Sequence, residues 1–212
     1  MIELPVAEGS GVDYLVIGHV CLDLVPEGRR GSPMLGGTAT YAALTARNLG
    51  QRVGVLTSAD FEPRIVDILV GRDNLRLPAT DVRVARLPAK ATTSFVNVYE
   101  PSGRRQEIRA VAELLRAAHV PPEWRDAPTV HLAPVALDVA VDLVPAFPNA
   151  VLGVTPQGWM RAWDEQGCVR AVAWEHEVAD FVLQRADVVI FSEEDVPDPA
   201  CLLYTSPSPR DS

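Results

Sequence analysis

Lysine is almost absent from this 212-residue chain: Lys90 is the only one, against eighteen arginines. Cysteine is scarce as well. Cys21, Cys168 and Cys201 show no metal-ligand spacing and no even framework, so they read as reduced, packed or incidental thiols. No apolar run approaches the roughly 20 residues that a membrane helix needs, so no helical span is expected. The N-terminus, MIELPVAEGSG, has neither the basic n-region nor the apolar h-region of a signal peptide. A cytoplasmic, reducing setting is therefore expected. Basic residues are also outnumbered, 19 against 28 acids, for a net charge of −9. That balance argues against a nucleic-acid footprint, which needs clustered Lys and Arg. Small anionic ligands stay possible, because a local pocket or a helix N-terminus can hold them against the global charge.

The remaining composition is that of a globular protein: 48% hydrophobic and 22% charged residues. The length suffices for one large domain or two small ones. No internal repeat and no long linker divides it. The preference for Arg over Lys, with abundant Ala, Val and Pro, looks like the codon bias of a GC-rich genome.

The apolar run DYLVIGHVCLD (13–23) predicts a central strand covered on both faces. A Gly- and Arg-rich loop (26–33) leads to MLGGTATYAALTARNLG (34–50), which turns helical from Thr40, with Gly50 as a C-cap. RVGVLTS (52–58) is a second apolar strand. DVRVARLP and TTSFVNVYE (92–100) alternate as half-exposed strands, and PSGR (101–104) is a turn. Together, residues of about 80–110 predict a small inserted sheet. Val111–Ala118 is expected to be a short helix ended by Pro121-Pro122. TVHLAPV (129–135) and AVLGVTP (150–156) read as strands and 137–147 as helical. WDEQG is a turn, Glu177–Arg185 a helix and ADVVIFS (186–192) a buried strand. This alternation predicts an α/β fold with a doubly wound, mainly parallel sheet.

The last twelve residues, CLLYTSPSPRDS (201–212), have no periodicity and lack the Ala, Val and Arg bias of the rest. They resemble the in-frame translation of a transposase-type sequencing-library adapter, so the segment is expected to be non-native and disordered. The native chain is then expected to continue beyond Ala200.

Chemistry concentrates at two places. Gly36 and Gly37, just before a helix, let backbone approach a ligand closely, and the helix start offers unpaired N–H groups; a plain tight turn is the competing reading. Asp23, at the end of an apolar run, can accept hydrogen bonds from two hydroxyls. His19, His131 and His176 read as structural, and Trp159, Trp163 and Trp174 as packing residues.

The motifs Gly18–Asp23 (G-x-x-x-x-D) and Gly36–Gly50 (GGTATYAALTARNLG) resemble those of the ribokinase/PfkB-type carbohydrate kinase family. The inserted strands with Thr92-Thr93 resemble its β-lid, and ADVVIFSEEDV (186–196) the strand leading to its N-x-x-E motif. The GGTATY and SEED variants are similar to the myo-inositol kinase-like subgroup. The resemblance implies a ribokinase-like fold whose substrate residues are Asp23, Gly36, Gly37, Thr38, Tyr41 and, from the lid, Thr93. Ser192 and Asp195 stand where the family organises Mg²⁺ indirectly. It also implies ATP as donor, a sugar, polyol or nucleoside as acceptor, and a homodimer through the lid. The family's late G-A-G-D motif, which supplies the base, does not occur in this sequence. Residues 1–200 are accordingly expected to be the N-terminal two thirds of such a kinase, inactive alone. A non-catalytic sugar-binding or regulatory relative is the main alternative. A Rossmann-type dinucleotide enzyme is more remote, because no G-x-G-x-x-G follows the first strand.

Overall fold

In a computed structural model, residues 11–60, 82–100, 103–192 and 195 are described. Six parallel strands form the main sheet, in the order β12-β9-β8-β1-β4-β5. They are β1 (Tyr14–Ile17), β4 (Val53–Ala59), β5 (Val82–Pro88), β8 (Thr129–Leu132), β9 (Val151–Val154) and β12 (Val188–Val189). A second sheet has the order β3-β2-β6-β7 and comprises β2 (Cys21–Leu24), β3 (Met34–Gly36), β6 (Ser94–Glu100) and β7 (Gly103–Ala110). A hairpin of β10 (Arg161–Trp163) and β11 (Val169–Ala171) leans against β7 through a bridge between Glu107 and Cys168.

The main sheet is apolar on both faces, as a parallel sheet covered on both sides must be. On one face, Val16, Val53, Val55 and Val82 pack under α1 (Thr38–Asn48). That helix presents Ala39, Ala43 and Ala46, small residues at i, i+4 and i+7, so its backbone can lie close to the strands. On the other face, Leu15, Ile17, Leu56, Leu132 and Leu152 pack with Phe147, Trp124 and Val182. The last of these belongs to α2 (His176–Leu183). Trp159 and Trp174 stack 5.7 Å apart within this second core, as packing residues.

Several elements differ from the sequence expectation. The run 13–23 is not one strand. It breaks at Gly18–Val20, and its first half joins the main sheet while its second half enters the lid. Gly18 sits where a Cβ would meet the Ala133 carbonyl oxygen at 2.3 Å, so the crossing can be this tight only with glycine. The predicted lid of 80–110 is also redrawn: Val82–Pro88 is the edge strand of the main sheet, paired with β4 along its whole length. Residues 111–118 and 137–147 are not helical; short 3-10 turns occupy 117–119 and 141–143. The strand expected at 186–192 is two residues long and lies at the sheet edge, where Val188 and Ile190 are exposed. The expected adapter-like tail lies outside the described residues.

His131 hangs from β8 on the α1 face, with Nδ1 2.7 Å from the Tyr14 hydroxyl and Nε2 2.8 Å from Thr155 Oγ1. Burial holds it down to about 4, so it is neutral in the folded chain near neutral pH. The unfolded chain protonates near the ordinary value of 6.5, so acid favours unfolding. Stability should therefore be full above pH 6.5 and fall as pH drops from 6.5 towards 4, by up to about 3 kcal/mol. Thermal melts between pH 7.5 and 4.5 check this, and His131→Gln should flatten the slope over that range.

Candidate functional site

The four-stranded sheet turns one face to the body. In-register pairing puts Asp23 beside Phe95, Phe95 opposite Ile108 and Asn97 opposite Gln106. Phe95 and Ile108 close this face onto Val135 and Ala136. Asp23, Asn97 and Gln106 form a polar row next to that apolar contact. Asn97 Nδ2 donates to Asp23 Oδ1 (3.0 Å), and Gln106 Nε2 donates to Asn97 Oδ1 (2.8 Å). Asp23 is half-buried. Burial pushes its pKa above the usual carboxylate range, while the bond from Asn97 and the nearby Arg104 charge pull the other way.

Gly36 and Gly37 make this placement possible. A Cβ on Gly36 would lie 2.4 Å from Asp23 Oδ2, so the carboxylate occupies the space a side chain would take. Gly37 adopts φ +86° as the N-cap of α1, a left-handed conformation that L side chains rarely adopt. Thr40 fastens the turn, its hydroxyl donating to the Gly36 carbonyl at 2.6 Å. No side chain caps the N-terminus of α1. The structure thus brings Asp23, Gly36 and Gly37 together at the start of this helix. Thr38 follows, partly buried, and Tyr41 stands 59% exposed on the next turn.

Thr93 does not reach into an open site. It is fully buried, accepts from the Ala112 N–H (2.9 Å) and lies 2.7 Å from His19 Nδ1. His19 Nε2 is 2.9 Å from the Glu113 carbonyl, which can only accept, so Nε2 carries a proton; Nδ1 faces Thr93 Oγ1 and lies 3.6 Å from Asp138 Oδ2. The histidine is therefore structural, as its strand-end position suggests. Asp138 completes the cluster: its Oδ2 accepts from the His19 N–H, and its Oδ1 from those of Val135 and Ala136.

Ser192 and Asp195 are together, as their spacing requires. Asp195 Oδ1 accepts from Gln157 Nε2 (2.5 Å) and Oδ2 from the Ser192 N–H (3.1 Å), so both oxygens are occupied. No group of three His, Cys, Asp or Glu able to hold a metal occurs among the described residues. An indirect role, through water held by these oxygens, remains a proposal. Cys21 is fully buried, and its thiol is held well above the usual range by burial and by Asp138 and Asp23, which excludes a thiolate nucleophile.

Sequence reasoning missed Asn97, Gln106, Asp138 and Arg161. The signal for Asn97 was available: it alternates with Phe95 and Tyr99 and so shares a strand face with an apolar residue. Arg161 is 9% exposed beneath Phe95, its Cζ 5.7 Å from the ring centroid. With Asp195, Arg104 and Gln106 it lines a cavity of about 140 Å³ between β7 and the β10–β11 hairpin.

No protein-family model and no curated protein matches the chain. Solved structures do. One is a pyrophosphate-dependent kinase in the ribokinase family, complexed with a pyrophosphate analog and myo-inositol. It is 23% identical, with a TM-score of 0.69, over 86% of this chain and 62% of that one. A nucleoside kinase of Methanocaldococcus jannaschii, an archaeal member of the ribokinase family, is 14% identical, with a TM-score of 0.59, over 94% and 66%. Arabidopsis thaliana ribokinase complexed with ribose and ATP is 15% identical, with a TM-score of 0.50, over 87% and 61%. The chain has the ribokinase fold and spans about three fifths of the length of the first of these. Among the described residues, no helix is long and apolar enough to cross a membrane.

Substitutions at two positions separate placement from packing. Gly36→Ala should displace the Asp23 carboxylate and cost about 1–3 kcal/mol of stability by overpacking. Thr93→Val should cost about 2 kcal/mol by leaving His19 Nδ1 and the Ala112 N–H unpaired, while Thr93→Ser restores most of it. Denaturant unfolding of the three variants measures both.

Proposed function

We propose that this chain carries the acceptor-binding part of a carbohydrate kinase, a phosphotransferase acting on a hydroxyl of a small polyol, sugar or nucleoside. The observation that carries the reading is the Asp23 carboxylate. It is set against Gly36 at an uncapped helix start, with Asn97 of the lid sheet holding its Oδ1. A half-buried carboxylate of this kind accepts hydrogen bonds from two neighbouring hydroxyls, and the glycine it sits against leads directly into the uncapped start of α1. Such positioning is the larger part of catalysis in phosphoryl transfer, where the transferring group passes between oxygens with little covalent help from protein.

The polyol class is favoured by the row Asp23, Asn97 and Gln106, which alternates acceptors and donors along one face. The myo-inositol bound by one structural neighbour is a ligand of the same chemistry. Thr38 and Tyr41, on the turn after Gly37, are the residues that would distinguish one acceptor from another. ATP and Mg²⁺ belong to this reading as the donor side. The G-A-G-D motif that would provide the proton acceptor is absent from these 212 residues. By itself the chain therefore binds an acceptor without turning it over. Function in the cytoplasm and pairing of two copies through the lid sheet are part of the same proposal.

The alternative is a sugar-binding or regulatory protein on the same fold, with Asp23 holding a ligand that is never phosphorylated. It makes the same use of the described residues, and it differs in predicting no transfer in any longer form of the protein.

Calorimetric titration of the chain with myo-inositol, ribose and adenosine tests the acceptor site. Binding of at least one is expected, with Asp23→Asn weakening it about 10- to 100-fold, the worth of hydrogen bonds to a charged group. Equal affinity in the variant would overturn the role of Asp23. Incubation with ATP and Mg²⁺ should yield no phosphorylated acceptor, and product formation would refute the inactivity of the isolated chain.

A further inference from the structure

The cavity between β7 and the β10–β11 hairpin has a charge opposite to that of the chain. Arg104 from β7, with Arg161 and Arg170 from the hairpin, face it against one carboxylate among the described residues, Asp195. The whole chain carries −9, so three arginines around about 140 Å³ are a local reversal.

Arg161 is the unusual member. It is nine-tenths buried, yet it forms no ion pair with any described residue. Of its five N–H donors, one hydrogen bond is made inside the protein, from Nη1 to the Val135 carbonyl at 3.1 Å. Phe95 covers one face of the guanidinium. Asp195 lies near enough to favour its charge, but Gln157 and the Ser192 N–H hold that carboxylate's two oxygens. Burial brings Arg161 down to about 10, which still leaves it cationic at neutral pH. Taking a guanidinium out of water without a counter-charge is unfavourable unless something else supplies one.

We propose that this cavity is an oxyanion subsite, in which the Arg161 fork holds a phosphate or carboxylate group while Arg104 and Arg170 add positive potential around it. A planar guanidinium matches the oxygens of either group with two parallel hydrogen bonds. Gln106, which joins the cavity to the Asn97–Asp23 row, makes it continuous with the acceptor site. The group held is an acidic substituent of the acceptor or a phosphate of the donor. Oxyanion binding at Arg161 does not require that the chain bind a polyol, so this site and the proposed function can fail separately.

The test is titration of the 212-residue chain with inorganic phosphate, pyrophosphate, gluconate and myo-inositol, followed by tryptophan fluorescence, since Trp163 is two residues from Arg161. Saturable binding of at least one oxyanion is expected, weakening as salt is raised. A preference for phosphate or pyrophosphate assigns the site to the donor, and a preference for gluconate assigns it to the acceptor. Arg161→Met should weaken the oxyanion about tenfold or more, and Arg161→Lys less, because the charge remains but the fork is lost. Arg52→Gln, on the opposite side of the main sheet's strands, should change nothing. If Arg161→Met alters the far-ultraviolet circular dichroism, Arg170→Gln replaces it as the readout, since that side chain is exposed on β11; about threefold weakening is expected there. Absence of saturable oxyanion binding, unchanged affinity in Arg161→Met or its substitute, or an equal loss in Arg52→Gln would overturn the proposal.

Discussion

The position of the lid sheet rests on one buried carboxylate. Asp138 is 1% exposed and accepts backbone N–H bonds from His19, Val135 and Ala136. Those three amides satisfy a charge that would otherwise be intolerable in the interior. The bonds hold together the point where the chain leaves the main sheet, at Gly18–Val20, and the loop that follows β8. The residue before Asp138, Leu137, adopts φ +55°, a strained conformation for a side chain of that size. His19 extends the tie to Thr93 and Glu113, which flank the lid strands on entry and exit. Val20 adds a bond from its N–H to the Thr57 hydroxyl. Three chain crossings between body and lid thus meet in one network without an unpaired donor at its centre.

The candidate site inherits its geometry from that network. Asp23 lies four residues after His19 on β2, so its carboxylate is fixed relative to the body rather than carried on a free flap. Gly37 is drawn into the same place, since a Cβ there would meet the His19 carbonyl at 2.7 Å. On the far side, the β10–β11 hairpin holds β7 by the Ile108 N–H bond to the Gly167 carbonyl (2.8 Å). The lid is consequently anchored at both edges. A ligand in the cleft would meet side chains already placed, which reduces the ordering that binding must otherwise oppose.

Where local chemistry decided an element, the sequence was legible. The α/β order, the alanine face of α1 and the glycine pair beside Asp23 follow from periodicity and from what glycine permits. The break inside 13–23 was not legible, because both halves are apolar and only Gly18 marks the crossing. Residues 82–88 alternate like a lid strand because an edge strand of a parallel sheet is also half exposed. The stretch 137–147 has helical spacing, but Leu137 is fixed in the left-handed region by Asp138, and the following residues close into a 3-10 turn. Thr93 was expected to face a ligand; where a hydroxyl points depends on the distant His19 and Ala112, which no local pattern reports. Arg161 followed the same rule, since an arginine before WDEQG reads as surface until Phe95 is folded over it.

The two ends of the cleft are chemically unlike. At one end Asp23 is an acceptor, its charge weakened by burial; at the other Arg161 is a donor fork that stays cationic. Asn97 and Gln106 bridge them, each passing a hydrogen bond towards Asp23. A neutral, symmetric polyol would satisfy the Asp23 end and leave the buried guanidinium unpaired. A ligand carrying hydroxyls on one side and an oxyanion on the other would satisfy both and could enter in one orientation only. Since a phosphoryl transfer needs one hydroxyl presented in line with the donor, an orientation fixed by charge at the far end would select which hydroxyl is offered. If the oxyanion belongs to the acceptor, the proposed role of the arginine is to set regiochemistry from outside the reacting atoms.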